Sequence, residues 1–286
     1  MRIGIIGAEN SHTAAIAKTI NVDKLVKGFT VDYVWGETTE FAKAAAEKGA
    51  IPNIVADPSE MLGKIDALIV DHRHPKYHLA PALPFVRKGV PTFIDKPFCY
   101  RSDEGKQFIE EAKKAGAPIT SFSVLPHQKS FARFVKKLPT LGNILAAGTY
   151  GASDLESPYG GVFFYGIHQI DMALIAFGYN VKSVVISKNG NGNTGQLFYD
   201  DGKIVTVDLI TKGAPGFGIR ALGEKGMLAS PIPMDPNAYL TGIRTFTKMF
   251  RTGKEPVKHE HMLKPVLVLE ALERSVASGK VESVNN

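Results

Sequence analysis

The chain of 286 residues has one cysteine, Cys99, and one tryptophan, Trp35. A single thiol excludes an intrachain disulfide framework and any zinc site built from several cysteines. Long apolar runs are missing as well. The N-terminus turns polar at Glu9-Asn10-Ser11-His12 after a short apolar start. A secretory leader needs a longer apolar stretch, and a membrane-crossing helix needs about 20 apolar residues. The most apolar later stretch, residues 162–177, is interrupted by His168, Gln169 and Asp171. A cytoplasmic protein with no membrane partner is the expectation. Nor is charge of one sign gathered: the net +6 is scattered, in pairs such as Lys113-Lys114 and Lys136-Lys137. Such pairs read as solvated helix faces, so no nucleic-acid partner is expected.

What is present is globular composition, 44% hydrophobic and 22% charged, with length for one or two domains at roughly 150 residues each. Residues 1–125 alternate between short apolar, often β-branched runs (2–7, 30–35, 67–71, 92–94, 119–124) and helical segments (11–20, 39–48, 77–88, 103–115). Ser102 is placed as the N-cap of the last helix and Gly116 as its stop. This rhythm predicts an α/β domain with a doubly wound parallel sheet. From residue 126 to 286 the grammar changes. A helix over 162–177 precedes strands at 182–188, 195–199, 203–210 and 218–222, then helices at 236–250 and 261–278. Asp200-Asp201-Gly202 is a hairpin signal, so this second domain is expected to be α+β with a mainly antiparallel sheet.

The first strand runs into Gly7-Ala8-Glu9-Asn10-Ser11-His12, where a dinucleotide fold places a glycine-rich turn against pyrophosphate. Glu9 and His12 stand at the second and third glycine positions. An acid there opposes a phosphate, and an imidazole there is expected to push helix and strand apart. Ser11 and Thr13 offer compensating hydroxyl donors. At the end of the second strand Gly36 occupies the usual acidic position and Glu37 follows it; Glu37 either meets the adenosine ribose or begins the next helix. NAD and NADP stay undecided.

Ile94-Asp95-Lys96-Pro97, then Gly160-Gly161 and Gly166-Ile167-His168-Gln169-Ile170-Asp171 far downstream, together with His78-Leu79-Ala80-Pro81-Ala82 and the C-terminal helices, resemble the glucose–fructose oxidoreductase / inositol dehydrogenase / MocA family. The likeness runs over nearly the whole chain in the right order, with Asp95 where the family has Glu. It implies an N-terminal Rossmann domain and a C-terminal open sheet through which copies associate as a homo-oligomer. It also implies hydride transfer between a nicotinamide and a sugar, polyol or related small molecule. Lys96 and His168 are then the catalytic pair, with the Lys96–Pro97 peptide cis. An imidazole can take the hydroxyl proton as hydride leaves, and an ammonium can stabilise charge on the same oxygen. Gly7, Ala8, Asn10, Ser11, His12, Glu37, His78 and Lys96 are the cofactor contacts implied, and Tyr165, Asp171 and His127 the substrate contacts.

One departure stands out. Relatives place an Asp four residues before the His, one helical turn away, and here that residue is Phe164. Tyr165 would face about 100° around the helix. Asp171 lies near the right face, although a structural hydrogen bond suits it better than catalysis. His74 and His78 have the i, i+4 spacing of a metal pair, but Pro75 interrupts it and no metal site is expected. The rival reading is a family member that keeps the cleft without turnover, as a ligand sensor or accessory protein.

Overall fold

The computed structural model describes residues 1–284. It divides into two compact units, Met1–Phe122 with Tyr239–Met262, and Ser123–Ala238 with the chain from Leu263 on. A single cut near residue 125 is therefore too simple. The segment after Tyr239 packs with the first unit because Phe246 stacks on Phe93 (centroids 4.4 Å apart) and lies with Ile243, Met249 and Phe250 in that unit's apolar core.

In the first unit, β1 (Arg2–Ile6), β2 (Thr30–Trp35), β3 (Asn53–Ile54), β4 (Ala67–Val70), β5 (Thr92–Ile94) and β6 (Ile119–Thr120) form one sheet in the order β3-β2-β1-β4-β5-β6. Every pairing is parallel. Helices α1 (Ser11–Ala17), α2 (Thr39–Gly49), α3 (Leu79–Val86) and α4 (Ser102–Ala115) alternate with the strands. β4 and β5 are buried along their whole length, as in a sheet covered on both faces. The strand order reverses between β1 and β4, and ligands of open α/β sheets bind beyond the carboxyl ends of the strands at such a point. Ser102 is not the N-cap of α4. Arg101 holds that position without a side-chain bond, while Gly116, at φ 64°, ends the helix as expected.

In the second unit, α5 (Lys129–Lys137) leads to β7 (Ile144–Ala152) and α6 (Phe163–Phe177). Then follow β8 (Val181–Ser187), β9 (Gly192–Tyr199), β10 (Ile204–Ile210), β11 (Gly218–Gly223) and β12 (Gly226–Pro231). The sheet order is β12-β11-β7-β10-β9-β8-β13, with β13 at Glu282–Ser283. All pairs are antiparallel except β10 with β7. The Asp200-Asp201-Gly202 turn joins β9 to β10 as expected. Helix α7 (Leu240–Thr252) belongs to the first unit, and α8 (His259–Ser278) follows it. Among the described residues, no helix is long and apolar enough to cross a membrane.

Candidate functional site

At the switch point β1 ends in Gly7, whose φ is 103°. A Cβ there would meet the carbonyl carbon of Asp71 at 2.7 Å and the His72 nitrogen at 2.8 Å, so only glycine lets the loop cross the end of β4. The next two backbone N–H groups, of Ala8 and Glu9, donate to Glu37 Oε2 at 2.8 and 2.9 Å. Glu37 thus closes on the loop and does not begin α2, whose N-cap is Thr38. Its displacement by one place from the usual acidic position has a steric cause. A Cβ on Gly36 would lie 2.8 Å from Ala42 N and 2.9 Å from Ala8 Cβ. The second oxygen, Glu37 Oε1, is buried with no hydrogen-bond partner, and His72 Nε2 lies 4.0 Å away. Burial pulls the His72 pKa down to about 3, so this ring is neutral at pH 7 and does not serve as the counter-ion.

Glu9 is balanced by Arg73, Nη1 to Oε1 3.9 Å, which lessens the opposition to phosphate expected of it. His12 does not wedge helix from strand. Its Nδ1 turns to Asp95 Oδ2 at 3.2 Å and lies 3.8 Å from Asp71 Oδ1. Asn10 caps α1 by accepting from His12 N, and its Nδ2 donates to Asp71 and to Asp95. Ser11 opens α1 and is exposed. Thr13, in contrast, is not available to a ligand. Its hydroxyl is buried, 2.8 Å from the Gly7 carbonyl and 2.5 Å from Asp71 Oδ2.

Asp71 and Asp95 thus face one another out of water. Burial, and then the neighbouring Asp95, raise the Asp71 pKa well above the ordinary carboxylate range. Burial works on Asp95 in the same direction, but its neighbours His12 and Lys96 outweigh it and hold its pKa below that range. Lys96 Nζ, itself buried, lies 3.6 Å from Asp95 Oδ2, and the Lys96–Pro97 peptide is cis. His12, Asp71 and Asp95 offer ligand-type atoms within 4.8 Å of one another. This is a different set from the His74–His78 pair, and Asn10, Thr13 and Lys96 already engage it. His74 Nδ1 accepts from Lys76 N. His78 is fully buried, with Nδ1 2.9 Å from the Pro97 carbonyl and Nε2 2.9 Å from the His72 carbonyl. Burial lowers its pKa, so the ring has one N–H to donate to one of these carbonyls, and with both nitrogens turned to backbone oxygens it leaves neither for the cofactor contact expected of it.

In the second unit, the helical geometry assumed for residues 162–177 fails at its start. Phe164 (φ −75°, ψ 116°) and Tyr165 (φ 66°, ψ −31°) are not helical, and regular helix resumes only after them. The i−4 argument for Phe164 and the 100° argument for Tyr165 therefore do not apply. The Tyr165 ring, half-exposed, lies 5.6 Å from the His168 ring, and the Phe217 ring lies 5.4 Å from it. His168 Nδ1 is 2.7 Å from the Ser123 hydroxyl, and both residues are buried. Asp171 Oδ2 accepts from Ser123 N at 3.0 Å, so it anchors the segment that carries this serine. His127 lies in a short 3-10 turn, and burial lowers its pKa to about 4.

Sequence reasoning missed Ser123 as the partner of His168, and Asp71 as the partner of Asp95. The signal for Asp71 was its place directly after the apolar run of β4. Ser123 carried no distinct signal, being one of three hydroxyl residues, with Thr120 and Ser121, in the run 119–124.

Residues 1–122 match the family model GFO_IDH_MocA, described as oxidoreductase family, NAD-binding Rossmann fold. No curated protein matches the sequence. Among solved structures, the chain is similar to GenD2 from gentamicin A biosynthesis in complex with NAD (13% identity, TM-score 0.87, covering 100% of this chain and 97% of that one). It is also similar to myo-inositol dehydrogenase from Lactobacillus casei in complex with NAD(H) and myo-inositol (17% identity, TM-score 0.83, 100% and 97%). A myo-inositol dehydrogenase from Corynebacterium glutamicum is similar at 19% identity (TM-score 0.80, 100% and 99%).

Proposed function

We propose that this chain, whose residues 1–122 match the model of the Gfo/Idh/MocA oxidoreductases with an NAD-binding Rossmann fold, is an NAD-dependent dehydrogenase that moves hydride between the nicotinamide and a CH–OH carbon of a sugar, polyol or related small molecule. The observation that carries this reading is the orphaned Glu37 Oε1 beside the Gly7 turn. A buried acceptor without a donor is costly, and a ribose hydroxyl supplies the donor. The same carboxylate repels a 2′-phosphate, which favours NAD over NADP. The turn therefore fits a dinucleotide: Gly7 brings bare backbone close, Glu37 meets the ribose, and Arg73 balances Glu9. The bound nicotinamide supplies the hydride chemistry. Lys96 donates a hydrogen bond to the reacting oxygen and stabilises charge that develops on it. His168 exchanges a second hydrogen bond with that oxygen, and Tyr165 borders the substrate.

The reading includes a cytoplasmic setting, which the single buried Cys99 suits, and a homo-oligomer formed through the second unit's sheet. Helix α6 covers one face of that sheet, where the Thr149 hydroxyl donates to the Gln169 carbonyl. Leu222 and Met227, paired across β11 and β12, remain exposed.

Titration with NAD, NADH, NADP and NADPH, read by nicotinamide fluorescence and melting temperature, tests the proposal. Binding of NAD(H) well ahead of NADP(H), with the preference lost in Glu37→Ala, is the expected result. No response to any of the four nucleotides overturns it. With a polyol substrate, Lys96→Ala and His168→Ala lose turnover.

A further inference from the structure

We infer that Ser123 is a positioning residue that fixes the tautomer of His168, so that this imidazole presents an Nε2–H, and not a lone pair, to the substrate oxygen. Hydrogen-bond capacity decides the tautomer. A serine hydroxyl has one proton to donate and two lone pairs with which to accept. Ser123 is fully buried. Its oxygen accepts from Leu125 N at 3.2 Å, and His168 Nδ1 lies 2.7 Å away. If Nδ1 carried the proton, the serine oxygen would accept twice and its own O–H would be a buried donor with no acceptor, which costs about 1–3 kcal/mol. If the hydroxyl instead donates to Nδ1, every group in the chain Leu125 N–H, Ser123 O–H, His168 Nδ1 is paired. The neutral ring then carries its proton on Nε2.

The backbone holds this geometry in place. Ser123 N donates to Asp171 Oδ2 at 3.0 Å, and Asp171 and His168 stand three residues apart on α6. The serine is thus gripped from the helix that carries the imidazole it orients. Phe217 and Tyr165 flank the ring at 5.4 and 5.6 Å and limit its rotation. A carboxylate at Nδ1 would act in the opposite sense. It only accepts, so it would hold the proton on Nδ1, leave Nε2 as a base and stabilise the imidazolium. With Phe164 in a non-helical stretch, packed against Tyr159 and Tyr165, the serine takes over the orienting task and reverses the ring's polarity. The proton that the hydroxyl loses as hydride leaves passes to the Lys96 amine, and His168 in this state transfers none. It donates a hydrogen bond to the oxygen whose charge changes as hydride arrives or leaves, the way a neutral imidazole polarises a carbonyl.

This rests on the dehydrogenase reading for the substrate oxygen, but its test does not depend on turnover. In protein labelled with 15N-histidine, two-bond 1H–15N correlation spectra distinguish a protonated from an unprotonated ring nitrogen. The His168 signals are assigned by their loss in His168→Gln. The expected result at pH 7–8 is a protonated Nε2 and an unprotonated Nδ1 in the wild type, reversed in Ser123→Asp and retained in Ser123→Thr. A wild-type ring protonated at Nδ1, or at both nitrogens, overturns the inference without bearing on cofactor binding. A failed nucleotide titration overturns the dehydrogenase reading and leaves the tautomer result standing. If Ser123→Asp does not fold, the wild-type spectrum alone decides.

Discussion

Two acids that share a buried corner set the residue-scale chemistry of the first unit. The Thr13 hydroxyl lies within reach of both the Gly7 carbonyl and Asp71 Oδ2 but has one proton. When that proton goes to Gly7, a protonated Asp71 donates to Thr13 in return; burial and Asp95 raise the Asp71 pKa, outweighing a Thr13 hydroxyl that, as donor, would lower it. Such a carboxyl binds its proton more tightly in the native than in the unfolded chain, where its pKa is about 3.9. It therefore subtracts stability as pH rises from about 4 through the native value, at about 1.4 kcal/mol per unit of difference. Asp95, shifted the other way, contributes stability that is present above about 4 and is lost as pH falls below it. Asp71→Asn preserves the bonds to Thr13 and Asn10: its amide donates to Thr13 and its carbonyl accepts from Asn10. This variant is expected to melt at least a few degrees above wild type at pH 8, with the gap closing as pH falls toward 4. Melting curves across that range check it, and a variant less stable than wild type at pH 8 would mean that Asp71 is ionised in the native state.

Elements differ in how openly the sequence announced them, and β7 shows why. Its run Ala146-Ala147-Gly148-Thr149-Tyr150-Gly151 has few β-branched residues and no alternation, so nothing marked it as a strand. It holds an interior place in the second sheet, between β11 and β10, because aromatic side chains cover its glycines and those of its neighbour. The Phe217 ring lies over Gly151, where a Cβ would meet Cδ1 at 2.2 Å, and the Tyr150 ring lies over Gly218, its partner in register. Packing of this kind depends on residues far apart in sequence. The parallel sheet of the first unit, by contrast, rests on local apolar runs and loop glycines, and was legible. The same divide separates the site residues. Gly7 and Glu37 follow from their places at strand ends, and Lys96 from the family resemblance of its Asp-Lys-Pro motif. The Ser123–His168 bond arises from tertiary placement, and the kink at Phe164 and Tyr165 breaks the helix period that sequence reasoning assumed. Gly151→Val is expected to displace Phe217 and destabilise the second unit by about 1–3 kcal/mol, as overpacking does. Because Phe217 stands edge-on to His168, the His168 ring resonances should move in the same variant. A variant with unchanged denaturant midpoint and unchanged His168 signals would show that Phe217 does not bear on the glycine.

For the whole molecule, the proposed assembly rests on the asymmetry of the second sheet. Its helix side is closed: Val207 and Leu197 are fully buried, and Leu272 of α8 reaches the sheet at Gly195. On the lateral row formed by Met227, Leu222 and Ala146, in register across β12, β11 and β7, the side chains of Leu222 and Met227 are 46% and 68% exposed. Leu145 and Ile204 are exposed as well, so apolar side chains open to water occur on β7, β10, β11 and β12. Single exposed apolar residues are ordinary, whereas a row of them across neighbouring strands marks a surface that another molecule covers. A sheet face can cover itself by two-fold symmetry, since a self-complementary patch closes as a dimer. Polar residues between the apolar ones, such as Arg220 donating to Thr206 Oγ1 and Thr194 donating to Asp208, supply directional contacts that fix the register of two such faces. Light scattering at micromolar concentration is therefore expected to give a dimer or a higher symmetric species. The pair Leu222→Glu with Met227→Glu should yield a monomer, because four like charges would face one another across each two-fold interface. Both positions are exposed, so the fold of the single chain should survive. A wild type that is monomeric at that concentration, or a doubly charged variant that still assembles, would place the association elsewhere on the molecule or remove it.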